Sequence, residues 1–138
     1  MDDSPLEPGL VLDASAVIAF MFRESGWEKV EGFLDNAEKA YISSVNASEV
    51  ISDMLGRGWP LEEALQNFLG LNIISLDHTF EDGIQVAVLK KKLPRRSAIS
   101  RADCACIALA ERLALPVLTA DSVWSTLELG GLEVRQIR

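Results

Sequence analysis

Four acidic residues stand where this chain passes from apolar runs into helical segments: Asp13, Glu49, Asp103 and Asp121. Asp13 directly follows Leu10-Val11-Leu12, and Asp121 closes the run Leu115 to Thr119. Glu49 and Asp103 fall in the first turns of segments patterned as helices. Carboxylates brought to one place repel each other and are costly unless a cation joins them. Their hard oxygens suit Mg²⁺ or Mn²⁺. Such an ion can orient a water, lower its pKa and stabilise charge on a phosphodiester. The chemistry that fits is metal-dependent hydrolysis of a phosphate ester. Each acid also has a plainer explanation, because Asp is a good helix N-cap. Asp13 reads as a cap or as a ligand, and Ser15 can cap the same helix. Asp53 lies one turn beyond Glu49 on the same helical face. It is available as a fifth ligand, although a solvated surface acid is the simpler reading.

These acids meet only if the elements carrying them are arranged correctly. Gly9–Leu12 has no polar alternation and reads as a strand buried on both faces. A short apolar helix over Ala16–Phe22 follows, then a helix over Trp27–Ala37 with one apolar face. Ala40–Ser44 is the second strand, and Val45 opens a helix ending by Gly56 or Gly58. Pro60 suits a first helical turn, giving a helix over Leu61–Gly70. Asn72–Leu76 is the third strand. Asp77 or Thr79 then caps a long helix that closes on Lys90-Lys91-Lys92. Ser100 with Asp103 resembles a capping box and opens a helix with the apolar stripe Ile99, Ala102, Cys106, Leu109, Ala110 and Leu113. Leu115–Thr119, a short helix over Ser122–Leu129, and a strand over Glu133–Ile137 complete the chain. Strands alternating with helices imply an α/β fold, a parallel sheet covered on both faces with right-handed crossovers. All strand C-termini then share one edge, which brings Asp13, Glu49 and Asp121 together. Asp103 starts the helix leading back to strand four, so it belongs at that edge too.

The 138 residues suit a single domain over 1–138, with residues 1–8 as a loose N-terminal arm. A net charge of −8 argues against a general nucleic-acid coating protein, but not against an enzyme with an acidic, metal-filled site. The opening Met1-Asp2-Asp3 is acidic where a secretory signal is basic, and the apolar runs are too short to span a bilayer. A cytoplasmic protein with no membrane association is expected. Cys104 and Cys106 are two apart in a helix, point to different faces and fit a reducing compartment. With His78 as the only histidine, too few soft ligands exist for a zinc site.

The four acidic stretches resemble the motifs of one family. Val11-Leu12-Asp13-Ala14-Ser15 is similar to the opening motif of PIN domains, an acid followed two residues on by Ser, Thr or Asn. Asn46-Ala47-Ser48-Glu49-Val50 and Ser100-Arg101-Ala102-Asp103-Cys104 resemble the second and third motifs. Leu118-Thr119-Ala120-Asp121 resembles the fourth. The order and spacing are those of VapC-type toxins of toxin–antitoxin pairs, over nearly the whole chain. The resemblance implies a three-layer α/β/α fold with a five-stranded parallel sheet of order 3-2-1-4-5, placing Asp13 beside Asp121. It implies a Mg²⁺- or Mn²⁺-dependent endoribonuclease acting on RNA, commonly a homodimer, held inactive by a cognate antitoxin. It assigns Asp13, Glu49, Asp103 and Asp121 as catalytic metal ligands, with Ser15 and Thr119 orienting carboxylates. Arg23, Lys90, Lys91, Lys92, Arg95, Arg96 and Arg101 are candidates for RNA contact, although the lysine run also reads as a solvated helix end.

Two other readings compete. A PIN-like RNA-processing or RNA-binding module would keep the fold without serving a toxin–antitoxin pair. A receiver-like phosphoacceptor domain would use an acid after strand three, where Asp77 is available. It also needs an acidic pair after strand one and a lysine after strand five. Asp13 stands alone, and strand five runs out at Arg138.

Overall fold

The computed structural model describes residues 5–138. Five short strands form one parallel sheet: β1 (Leu10–Leu12), β2 (Ala40–Ser43), β3 (Ile74–Leu76), β4 (Val117–Thr119) and β5 (Val134–Gln136). Their spatial order is β3-β2-β1-β4-β5, as expected. Six helices connect them: α1 (Ala14–Phe22), α2 (Trp27–Asp35), α3 (Ser44–Gly56), α4 (Leu61–Leu69), α5 (Phe80–Lys92) and α6 (Arg101–Leu113). Among the described residues no helix is long and apolar enough to cross a membrane.

The alternation of side chains along β1 builds both cores. Leu10 and Leu12 enter one apolar cluster with residues of α1, α3 and α4, while Val11 enters a second with residues of α5 and α6. All three are fully buried, which explains a run without polar residues. β4 does the same with Val117 and Leu118 on opposite faces. The sheet is therefore the middle layer of three. Strand order reverses between β1 and β4, and a crevice opens at the carboxyl ends of strands at such a point.

The two helices behind the second core are antiparallel. Arg112, near the end of α6, donates two hydrogen bonds to buried Asp82 at the start of α5, at 2.9 and 3.1 Å. At the opposite end, Lys90 Nζ donates to the carbonyl of Ile99 at 2.7 Å. Thr79 is the N-cap of α5, in a full capping box with Asp82. The other candidate cap, Asp77, does not serve that role. Cys104 and Cys106 are free and buried.

Three expectations change. Residues 1–4 lie outside the described residues, but the rest of the supposed arm is not loose: Glu7 pairs backbone with Asn36 and Glu38, and its carboxylate receives Arg135 of β5. The stretch after β4 is a 3₁₀ turn over Ser122–Thr126 rather than a helix to Leu129. Its Ser, Val and Thr residues are weak helix formers, and Thr126 Oγ1 bonds the carbonyl of Val123, competing with a helical ladder. The third strand starts at Ile74, because Asn72 takes a left-handed φ of 59° that breaks the extended run.

Candidate functional site

Asp13, Glu49, Asp103 and Asp121 line one open cleft of about 630 Å³ at the carboxyl edge of the sheet, together with Ser15 and Asp53. Parallel strands deliver Asp13 and Asp121 there from β1 and β4, which are neighbours. α3 begins directly after β2 and carries Glu49 into its second turn. Asp103 comes from the first turn of α6. No Lys, Arg or His lines the cleft among the described residues, and none of the four acids forms an ion pair there. Asp53 differs, since Arg57 pairs with it at 2.7 Å while also reaching Glu24.

Asp13 sits at the N-cap position of α1, yet its side chain caps nothing. Instead Oδ2 accepts hydrogen bonds from Ser15 Oγ at 2.7 Å and from Thr119 Oγ1 at 3.0 Å. Each hydroxyl is in turn held by a backbone N–H, Ala120 N to Ser15 Oγ and Asp121 N to Thr119 Oγ1. A hydroxyl has a single hydrogen, so accepting from the backbone leaves that hydrogen for Asp13. Ser15 therefore orients Asp13 rather than capping α1.

The other acids follow the same pattern. Glu49 Oε1 accepts from Asn46 Nδ2 at 2.9 Å. Asp103 Oδ2 accepts from Ser100 N at 2.9 Å, completing a capping box. Asp121 Oδ1 accepts from Val123 N at 3.0 Å. Each carboxylate thus has one oxygen fixed by the protein, and the other has no hydrogen-bond partner among the described residues. Asn46, fully buried, contacts Glu49 directly, and the sequence did not single it out as a site residue. Its signal was a polar residue on the buried face of α3, three residues before Glu49.

Asp13 is only 4% exposed, and its carboxyl is pushed up to about 6 from its ordinary 3.8. Burial is the main cause, and the charges of Asp103 and Glu49 add to it, while the Ser15 and Thr119 hydrogen bonds pull the other way. Among the described residues, no three His, Cys, Asp or Glu side chains are drawn together tightly enough to hold a metal ion as they stand. The donor set nevertheless fits a hard divalent cation: the polar side chains are carboxylates and serine hydroxyls, all oxygen donors, with no cationic side chain in the lining.

None of the seven basic candidates lines the cleft. Lys91, Lys92, Arg95 and Arg96 are exposed near the loop leading into α6, and exposed Arg101 opens that helix two residues before Asp103. Lys90 is committed to Ile99. Arg23 lies over the ring of Trp27 at 5.1 Å. Asp77 and His78 stand outside the cleft.

The sequence model of the PIN domain matches residues 10–128. A comparison with curated protein sequences gives no match. Solved structures share the fold at low identity. VapBC2 from Rickettsia felis, bound to a DNA fragment from its promoter, gives a TM-score of 0.72 at 13% identity, covering 93% of this chain and 98% of that one. DNA-bound VapBC from Salmonella typhimurium gives 0.71 at 18% identity, covering 96% and 99%. VapC20 from Mycobacterium tuberculosis, a toxin that cleaves the sarcin–ricin loop, gives 0.70 at 14% identity, covering 85% and 93%.

Proposed function

The chain belongs to the PIN domain family, and from that premise we propose that it is a Mg²⁺- or Mn²⁺-dependent endoribonuclease, the toxin of a type II toxin–antitoxin pair. One observation carries the reading. Of the five carboxylates lining one cleft, Asp53 is paired with Arg57, whereas Asp13, Glu49, Asp103 and Asp121 have no ion-pair partner, one oxygen held by the protein and the other without a partner among the described residues. Carboxylates serving only as caps or surface charges need not converge, and a phosphoacceptor would need its reactive acid after β3 and a lysine in the cleft, whose lining contains neither Asp77 nor a lysine among the described residues. Asp13, Glu49, Asp103 and Asp121 would hold the ion. Bound there, such an ion supplies a water of lowered pKa and stabilises charge on the phosphodiester. Ser15 and Thr119 hold Asp13 in one orientation, so its second oxygen is presented without rotamer search. Arg101, Lys91, Lys92, Arg95 and Arg96 are the exposed cations that RNA phosphates would meet near the start of α6. They supply locally what a net charge of −8 denies the molecule as a whole.

The proposed partners are a cognate antitoxin and a second copy of the chain, in the cytoplasm. The Rickettsia and Salmonella neighbours are toxin–antitoxin complexes, which supports the first. Exposed apolar stripes support partners more generally: Leu61, Leu65 and Leu69 along α4, and Phe80, Ile84 and Val88 along α5. The test is cleavage of total RNA by the purified protein with Mg²⁺, with Mn²⁺ and with chelator, beside Asp13→Asn. Metal-dependent cutting that the variant lacks is the expected result. Cutting that persists in chelator, or in the variant, refutes the assignment.

A further inference from the structure

We propose that Asn46 is a positioning residue for the acidic site: its buried amide fixes the Glu49 carboxylate and ties it to the backbone beside Asp103. The inference rests on the metal-site reading above and adds a residue to it. Asn46 Nδ2 has two hydrogens and two acceptors, Glu49 Oε1 at 2.9 Å and the carbonyl of Ala102 at 3.0 Å. The first lies one turn along α3, and the second immediately precedes Asp103 on α6. The amide's orientation is forced, since the flipped form would set Oδ1 against two acceptors. A single side chain thus couples the helices that bring two of the four acids.

The unused half of the amide shows what the residue is for. Asn46 is fully buried, and Oδ1 has no hydrogen-bond partner among the described residues. Leaving a buried acceptor unpaired costs stability, whereas an apolar side chain of similar size would not bear that cost. The Ala102 carbonyl lies inside α6 and belongs to that helix's own ladder, so the fold does not depend on Asn46 to satisfy it. Glu49 is exposed and has three rotatable bonds to order. Anchoring Oε1 before a cation arrives removes part of that ordering cost from binding.

The test uses Mn²⁺ alone, titrated calorimetrically into the parent, Asn46→Leu, Asn46→Ala and the control Asp13→Asn, with melting curves in chelator. Asn46→Leu is expected to weaken Mn²⁺ binding by about 10- to 100-fold. It should melt no lower than the parent in chelator, and its loss of RNA cleavage should be reversed by saturating Mn²⁺. Asn46→Ala should show the same weakening if the leucine variant fails to fold. Unchanged Mn²⁺ affinity in either folded variant overturns the inference and leaves the metal-site reading intact. So does a lowered melting temperature with activity that saturating Mn²⁺ does not restore, which marks Asn46 as a fold element only. A parent that binds no Mn²⁺ overturns both.

Discussion

Replacing Asp13 by Asn should make the metal-free protein more stable, and by an amount that depends on pH. The buried carboxyl is pushed up to about 6 from 3.8, so the folded chain holds that proton more tightly than the unfolded chain. Above about pH 6 the folded protein carries the full cost of ionising Asp13 among Asp103 and Glu49. The cost shrinks as pH falls through that value and is gone below the unfolded one. Integrating the proton linkage gives about 3 kcal/mol at pH 7 and about 1.5 kcal/mol at pH 5. Asn keeps the shape and still accepts the Ser15 and Thr119 hydrogen bonds through its carbonyl, so the substitution removes the charge and little else. In chelator at pH 7 the variant should melt roughly 10 °C above the parent, with the gap about halved at pH 5. Mg²⁺ or Mn²⁺ should then reverse the order of benefit, stabilising the parent by about 2.7 kcal/mol at 100 times its dissociation constant and the variant far less. Thermal melts of both proteins at the two pH values, with chelator and with metal, measure each of these effects. A variant that melts at or below the parent at pH 7 in chelator, a gap that does not narrow with acid, or an equal metal shift in both proteins would refute the crowded-site reasoning.

Asp53→Asn should leave RNA cleavage close to parental, because Asp53 already has Arg57 as its cation; a loss comparable to that of Asp13→Asn in the same assay would make Asp53 part of the site. Replacing Lys91, Lys92, Arg95 and Arg96 together by Ala should weaken RNA binding and reduce the slope of log affinity against log salt by about 0.7 for each phosphate no longer neutralised. An unchanged slope would mark these residues as a solvated helix end. Gly26→Ala should destabilise the fold by about 2 kcal/mol or more in denaturant melts. Gly26 has φ of +94°, and an added Cβ would stand 2.3 Å from the Ile137 carbonyl oxygen, so an unchanged midpoint would contradict that packing.

The layer order was legible because a central parallel strand leaves a plain trace: Leu10, Val11 and Leu12 are all apolar since each faces a core. The carboxyl edge was legible too, because polarity alone sends every strand's end to the same side. What the sequence left open was which partner each side chain chooses. Asp13 and Ser15 were both credible caps of α1, and only the Thr119 hydroxyl, 106 residues away, turns the competition toward a shared network around Asp13. Glu7 and Arg135 are separated by 128 residues, so nothing local in Pro5 to Pro8 marks that segment as held. The basic residues were found by type, but charge carries no direction. Lys90 turns to a carbonyl while Lys91 and Lys92 face solvent.

The apparent rivalry between cap and ligand dissolves at Asp103 and Asp121, and the reason is stoichiometric. A carboxylate has two oxygens, and a backbone N–H at a helix or 3₁₀ start occupies one of them. The cap fixes where the acid stands. Glu49 lacks such a terminus at its carboxylate and receives a side-chain amide instead. Asp13 is the most deeply set of the four, and its described donors are two hydroxyls. Neutral hydroxyls stabilise a buried anion less than burial penalises it, so the proton affinity of the site rises at Asp13. The most deeply buried of the four acids is the one at the switch point between β1 and β4, where the topology opens the cleft.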